Sequence, residues 1–243
     1  MSALRGRIAL VTGAGQRVGQ AIALALGAEG MRVAVHHRAS EDGARRTASA
    51  LRGLGTEAAT FAADLRDAAA PQRLIDDVVA QFGALDLLVN SAAVMRRVAL
   101  ESVTSADWDE ILAINARAPF FLSLAAARAM GTRGGAIVNI ADHLAHESWP
   151  MLVPHAVSKG ALETITRQLA VQLAPHVRVN AVAPGAVLAP DGWPEAARRK
   201  FEEETPLQRL GTPDDVAQAV VYLASAPYVT GHILFVDGGR HLR

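Results

Sequence analysis

Apolar residues gather in seven short runs: RIALVT (7–12), MRVAVHH (31–37), EAATFAADL (57–65), ALDLLVN (84–90), GAIVNIA (135–141), VRVNAVAP (177–184) and HILFVDG (232–238). Their near-continuous Val, Ile, Leu and Ala content predicts strands buried on both faces, since a half-solvated strand would alternate with polar residues. Longer amphipathic stretches lie between and after them, at 18–29, 41–53, 71–82, 107–130, 155–173 and 213–224. These predict helices. Strands alternating with helices predict an α/β fold, a doubly wound parallel sheet of about seven strands with helices on both faces. Right-handed crossovers then place a ligand crevice at the carboxyl ends of the strands, near the point where strand order reverses.

Composition narrows this picture. The chain has 243 residues, 51% of them hydrophobic, and no linker, charge run or internal repeat divides it, so one domain over 1–243 is expected. Twenty-four basic residues balance 24 acidic ones, which argues against a nucleic-acid or acidic-membrane partner. With no cysteine, disulfides, thiolate catalysis and cysteine-ligated metals are excluded. The start, MSALRGRIALVTG, has no long apolar h-region, and no window is expected to reach membrane-spanning length. A soluble cytoplasmic protein is the default expectation.

The first strand runs into TGAGQRVGQAIA (12–23). Gly13, Gly15 and Gly19 fall at the strand-to-helix turn, with Gln16, Arg17 and Val18 between them. Glycine there permits a tight turn and lets backbone N–H groups approach a pyrophosphate at a helix N-terminus. Glycines also serve ordinary turns, but the strand before and the helix after favour dinucleotide binding on a Rossmann-like sheet. After the second strand comes HHRAS (36–40), with no acid until Glu41. An NAD-specific site would present Asp or Glu to the ribose hydroxyls here. His37, Arg38 and Ser40 instead supply donors and, with Arg17, suit a 2′-phosphate. NADPH is therefore expected over NADH, the alternative being a solvated loop with incidental arginines.

Thr12, Gly13 and Gly19 resemble the T-G-x-x-x-G-x-G signature of the short-chain dehydrogenase/reductase family, with Arg17 in place of its middle glycine. FAADLRD sets Asp64 and Leu65 after the third strand, where the family uses the aspartate on the adenine edge. LVNSAA (88–93) resembles the family's N-N-A-G segment and brings Asn90, Ser91 and Ala92 to the cofactor. INARAPF carries Asn115, matching the family's helix asparagine, and VAPGAV holds Pro184 and Gly185, matching the loop beside the nicotinamide. VTGHILFVDGG (229–239) resembles the C-terminal strand and turn. The resemblance covers nearly the whole chain.

It implies hydride transfer between nicotinamide and a carbonyl, imine or activated double bond. In that family a tyrosine gives the proton, and a lysine one helical turn on lowers its pKa and holds the ribose. A serine polarises the substrate, and an asparagine positions a water relay. In MLVPHAVSKGALE (151–163), Lys159 matches the lysine, but His155 stands in the tyrosine's place. Positions i and i+4 share a helix face, so both point into one site. The chain's two tyrosines, Tyr222 and Tyr228, lie far downstream. Asp142, thirteen residues before His155, occupies the serine position. Asp142, Arg17, the basic segment after strand two and PGAVLAPDGWP (184–194) resemble the pteridine reductase branch. That resemblance implies NADPH-dependent reduction of a dihydropterin or dihydrofolate. Asn115, Asp142, His155 and Lys159 would be catalytic, Lys159 also gripping the cofactor. Arg17, Met95, Asp142, His155, Leu188 and Trp193 would face substrate. Where the branch stacks an aromatic ring on the pterin, this chain has Val94 and Met95.

Histidine titrates near working pH. Lys159 and an oxidised nicotinamide push it toward neutral, whereas Asp142 retains the imidazolium, so an Asp–His pair is a workable general acid. Two alternatives stay open: a general carbonyl reductase, or an impaired NADP-binding protein in which His155 merely fills space. His143 and His146 either line the substrate pocket or face water, and no metal is expected. Trp149 and Trp193 either cap a flat substrate or pack beneath loops. The segment 187–205, rich in charge and loop signals, is expected to be a mobile substrate lid. A homo-oligomer, dimer or tetramer, is expected through helices 107–130 and 155–173.

Overall fold

The computed structural model describes residues 3–188 and 192–243. Among these, seven strands form one sheet: β1 (Ile8–Val11), β2 (Arg32–His37), β3 (Ala58–Ala62), β4 (Leu87–Asn90), β5 (Gly135–Ile140), β6 (Val177–Pro184) and β7 (Ile233–Val236). Their order is β3-β2-β1-β4-β5-β6-β7, and every pairing is parallel. The order reverses between β1 and β4, which opens a crevice above their carboxyl ends.

Eight α-helices surround the sheet: α1 (Arg17–Ala28), α2 (Glu41–Gly53), α3 (Ala70–Phe82), α4 (Ser105–Leu112), α5 (Ala118–Met130), α6 (Val153–Gln172), α7 (Glu195–Glu204) and α8 (Pro213–Ser225). Local chemistry fixes several ends. Thr104 and Asp107 form a capping box at α4, and Thr212 and Asp215 form one at α8, where Pro213 adds a preset φ. Gly83, at φ +86°, stops α3 in the left-handed region that glycine tolerates.

Two apolar cores lie on opposite faces of the sheet. On β1, Ala9 and Val11 pack with Ile22, Leu26, Val35 and Val220, while Ile8 and Leu10 pack with Leu74, Val78, Leu122 and Val179. β5 divides in the same way, Val138 to the first core and Ile137 to the second. Successive side chains point to opposite faces, so a strand covered on both sides needs apolar residues at every position.

The stretch 107–130 is not one regular helix. A π-helical turn, Ala113–Arg117, joins α4 to α5 and holds buried Asn115. The continuous helical stretch Ser105–Arg133 has 29 residues and a mean hydropathy of 1.3 in its best window, long and apolar enough to cross a membrane. This corrects the expectation that no segment reaches that length. Its apolarity has another cause here, since 61% of that window is buried within the fold.

The segment 187–205 also differs from an irregular lid. Residues 189–191 lie outside the described residues, but 195–204 form α7. Its charges fall four apart, as Arg199–Glu195, Arg198–Glu202 and Lys200–Glu204 pairs, a spacing that supports a helix. Phe201 is its one buried residue and anchors it, meeting Trp149 and Trp193 with centroids 6.0 and 5.5 Å away.

A buried polar chain ties α6 to the sheet. Asn90 Nδ2 donates to Asn139 Oδ1 at 2.8 Å, and Asn139 Nδ2 donates to Thr166 Oγ1 at 2.9 Å. Asn139→Ala leaves both neighbours without these partners and opens a small cavity. It is expected to lower the unfolding free energy by about 2–4 kcal/mol in chemical denaturation.

Candidate active site

The turn after β1 is held by two side chains. Thr12 Oγ1 accepts from the N–H groups of Ser91 and Ala92 at 2.9 and 3.0 Å and donates to Val89 O at 3.3 Å, locking the ends of β1 and β4 together. His36, buried at the end of β2, accepts from Gly13 N–H through Nδ1 at 3.1 Å and donates through Nε2 to Ala63 O at 3.1 Å. These partners require a neutral ring with its proton on Nε2. Burial pushes its pKa down to about 4.

Glycine is needed here for space as well as conformation. A Cβ on Gly19 would lie 2.3 Å from Gly13 O, and one on Gly15 would lie 2.6 Å from Ser40 Oγ. Gly43 of α2, which the sequence patterns did not single out, packs as closely: its Cβ would lie 2.3 Å from Gly15 O. Arg17, in the place of the family's middle glycine, adopts φ +55°, a left-handed conformation that costs a non-glycine residue about 1–2 kcal/mol.

A cleft of about 430 Å³ opens above this turn, lined among others by Gly13, Gln16, His37, Arg38, Ser40, Asp64, Leu65 and Ala92. Eight of the seventeen residues expected to hold cofactor thus share one surface. Exposed Arg17 and half-buried Val18 occupy the first turn of α1 beside it. Buried His37 leaves Nδ1 without a partner. Hydrogen bonds from the Arg66 side chain hold Asp64 down at about 2, so its carboxylate is already engaged. Asn90 does not line the cleft, because its amide serves the buried chain to Asn139. Ser91 is fixed through its N–H on Thr12. At the end of β6, Gly185 N–H donates to Val236 O, and a Cβ there would lie 2.8 Å from Asp237 Cα. Pro184 O accepts from His143 Nδ1 at 3.1 Å.

The four expected catalytic residues converge. α6 presents His155 and Lys159 on one face, as their spacing predicts, and both are buried. His155 is 2% exposed. Its Nε2 lies 3.1 Å from Asp142 Oδ2, and its Nδ1 lies 3.2 Å from Val94 O. Each ring nitrogen therefore faces an oxygen acceptor, which suits a doubly protonated ring, while Asn115 Nδ2 also lies 3.4 Å from Nδ1 and suits a ring unprotonated there. Asn115 Oδ1 accepts from Val94 N–H at 2.9 Å, and its Nδ2 donates to Val94 O at 2.9 Å and to Ser158 Oγ at 3.0 Å. The π-helical turn thus clamps the loop after β4 that supplies the Val94 carbonyl. Lys159 Nζ donates to Ile140 O at 2.7 Å. Burial pulls its pKa down to about 8, against the opposing charge of Asp142.

Burial opposes ionisation of Asp142. Hydrogen bonds from His143, His155 and the Leu144 N–H outweigh it and hold the carboxyl well below the usual range. His143 is buried against this carboxylate, whereas His146 pairs with Glu163 of α6 at 2.9 Å. Met95 is 54% exposed, Leu188 is half-buried, and Trp193 packs on Phe201. His36, Ser158 and the Val94 carbonyl had no sequence signal, because each acts through a contact made only by folding.

Comparison with known proteins places the chain. Residues 13–241 match the family model described as Enoyl-(Acyl carrier protein) reductase. The protein named ketoacyl reductase 2 of granaticin polyketide synthase, from Streptomyces violaceoruber, is 38% identical over 245 residues, covering 97% of this chain and 96% of its own. The solved short-chain dehydrogenase/reductase of Serratia marcescens BCRC 10948 superposes with a TM-score of 0.92 at 37% identity, over 98% of this chain and 99% of that one. A gluconate 5-dehydrogenase from Burkholderia cenocepacia J2315, solved with NADP and tartrate, gives 0.92 at 30% identity, over 100% and 98%. The chain belongs to the short-chain dehydrogenase/reductase family of NAD(P)-dependent oxidoreductases. None of these three relatives is named a pteridine reductase, and they give that branch no particular support.

Two stability tests follow from the turn. Arg17→Gly removes the left-handed strain and is expected to raise the unfolding free energy by up to about 1 kcal/mol in denaturant titration. His36 is neutral when folded down to about pH 4 but protonates near 6.5 when unfolded. Its contribution is therefore complete above pH 6.5 and lost as the pH falls toward 4, a loss of about 3 kcal/mol. Denaturation across that window should show His36→Gln losing measurably less stability on acidification than the parent.

Proposed function

We propose that the protein is an NADPH-dependent carbonyl reductase in which His155, paired with Asp142, donates the proton that a tyrosine gives elsewhere in the family. The carrying observation is the buried His155 ring held between the Asp142 carboxylate at 3.1 Å and Val94 O at 3.2 Å. A ring so placed holds its Nε2 proton toward Asp142 Oδ2, and an incoming carbonyl oxygen that enters beside that carboxylate takes it from there.

The cleft fits a dinucleotide on three counts. Glycines stand where any Cβ would meet backbone, which keeps N–H groups free to approach phosphates. His37 presents a buried, unpartnered nitrogen in the cleft lining. Arg17 and Arg38 supply cations with no acid at the end of β2. In this reading Gly13, Gly15, Gln16, Arg17, Val18 and Gly19 hold the pyrophosphate, and His37, Arg38 and Ser40 the 2′-phosphate. Asp64, Leu65, Ser91 and Ala92 flank the adenosine side, and Lys159, Pro184 and Gly185 the nicotinamide side. When bound, the reduced nucleotide supplies hydride. Asn115 positions the loop carrying Val94, and Asp142 orients His155 and keeps its proton in place.

A ketone is favoured over a dihydropterin. Asp142 already accepts from His143, His155 and Leu144 N–H, which leaves it poorly placed to anchor a pterin amino group. The ketoacyl reductase relative supports the same substrate class. The large hydrophobic residues exposed on α4, α5 and α6, Trp108, Phe121, Val153, Val157 and Val171, fit a dimer or tetramer.

NADPH oxidation against a panel of cyclic and aliphatic ketones tests this reading. His155→Phe is expected to lower kcat about 100-fold or more while the NADPH Kd stays within about threefold. Unchanged turnover would remove His155 from the chemistry. Tight NADPH binding with no parental turnover would mark a coenzyme-binding protein without this reaction. Arg38→Ala is expected to weaken NADPH about tenfold and leave NADH unchanged in calorimetry.

A further inference from the structure

Asp142 does not serve His155 alone. Its Oδ2 lies 3.1 Å from His155 Nε2, and its Oδ1 lies 3.1 Å from His143 Nδ1. The His143 ring is 5% exposed and held on every side. Nδ1 also faces Pro184 O at 3.1 Å, so that nitrogen must carry a proton. Nε2 lies 3.3 Å from Glu147 Oε2, at ion-pair distance but off hydrogen-bonding alignment. Glu147 is fixed in turn by Arg240, whose Nε and Nη2 reach its two oxygens at 2.9 and 2.8 Å. From α7 come the Phe201 ring, edge-on to His143 at 6.5 Å, and Glu204, paired with Arg240 at 3.4 Å. From α6 the charged groups facing Asp142 are His155 and Lys159.

Two imidazoles thus share one carboxylate, one oxygen each, and a second carboxylate waits behind the outer ring. We infer that His143 is a positioning residue that sets the pH at which His155 carries its proton, by competing with it for Asp142. A protonated His143 is favoured on both sides, by Asp142 at Nδ1 and by Glu147 at Nε2. In that state it neutralises part of the Asp142 charge, and the second cation repels protonation of His155 through the shared carboxylate. His155 is then a readier proton donor than it would be with Asp142 to itself. Glu147 acts one step further out by keeping His143 charged, and Arg240 holds Glu147 in place. This rests on the proposed acid role of His155 only for its catalytic consequence; the proton competition exists without it.

The test separates the two. Histidine side chains of the cofactor-free protein are titrated by NMR in the parent, His143→Gln and Glu147→Gln, and each protein's pH–rate profile for NADPH-driven ketone reduction is recorded. His143→Gln keeps a donor for Asp142 but removes the charge. It is expected to move the His155 midpoint upward by about one pH unit. Glu147→Gln, which acts on the far side of the ring, moves it the same way by a smaller amount and serves if the first variant does not fold. A His155 midpoint within 0.2 unit of the parent in the folded variants overturns the inference. The alkaline limb of kcat is expected to shift upward with the NMR midpoint. A midpoint that moves while the rate profile stays fixed keeps the competition and removes His155 as the acid.

Discussion

The close packing of backbone at the carboxyl end of β1 is the constraint on which the site depends. Strand order reverses there, so the connections leaving the paired strands β1 and β4 diverge and open a crevice above their ends. Thr12 holds the two ends together with two hydrogen bonds from the turn after β4 and one to Val89 O within that strand, and His36 fastens Gly13 from the other side. Between these two fastenings the glycines let α1 start almost in contact with the strand end. Any side chain at Gly19 would displace the Gly13 carbonyl, and with it the orientation of the turn's N–H groups. The left-handed Arg17 is the one place where this geometry is met with strain and a charge in place of a small residue.

The second half of the site is an electrostatic arrangement around one buried carboxylate. The ring at its centre is the buried imidazole of His155. Such a ring needs a counter-ion to hold a proton in a buried pocket. The Asp142 carboxylate supplies one. His155 and Asp142 are thus direct neighbours, 3.1 Å apart. Asn115 and Lys159 keep their positions, although Asn115 is taken up by Val94 and Ser158 and Lys159 by Ile140 O. Beyond them close contacts between ionisable groups run outward through His143, Glu147 and Arg240 to Glu204 of α7.

Much of the fold was legible before folding was considered. All seven strands fall where continuous apolar runs predicted, because a strand buried on both faces has no polar alternation to blur it. α7 was missed because its i,i+4 pairs of opposite charge read locally like a solvated loop, and only Phe201 docking on Trp149 and Trp193 gives it a buried face. The interruption of the long helix at Asn115 was equally invisible, since a π-helical turn changes hydrogen-bond register without changing composition.

The sequence by itself determined the doubly wound sheet, the glycine-rich turn after β1 and the shared face of His155 and Lys159, since each depends on spacing within a few residues of chain. Tertiary structure alone decided that Asp142 is divided between two histidines, that Val94 O meets His155 across 61 residues, and that His36 steadies Gly13 across 23. Hydrogen-bond partners of buried polar groups are chosen by which atoms meet when the cores close. No local pattern records that meeting.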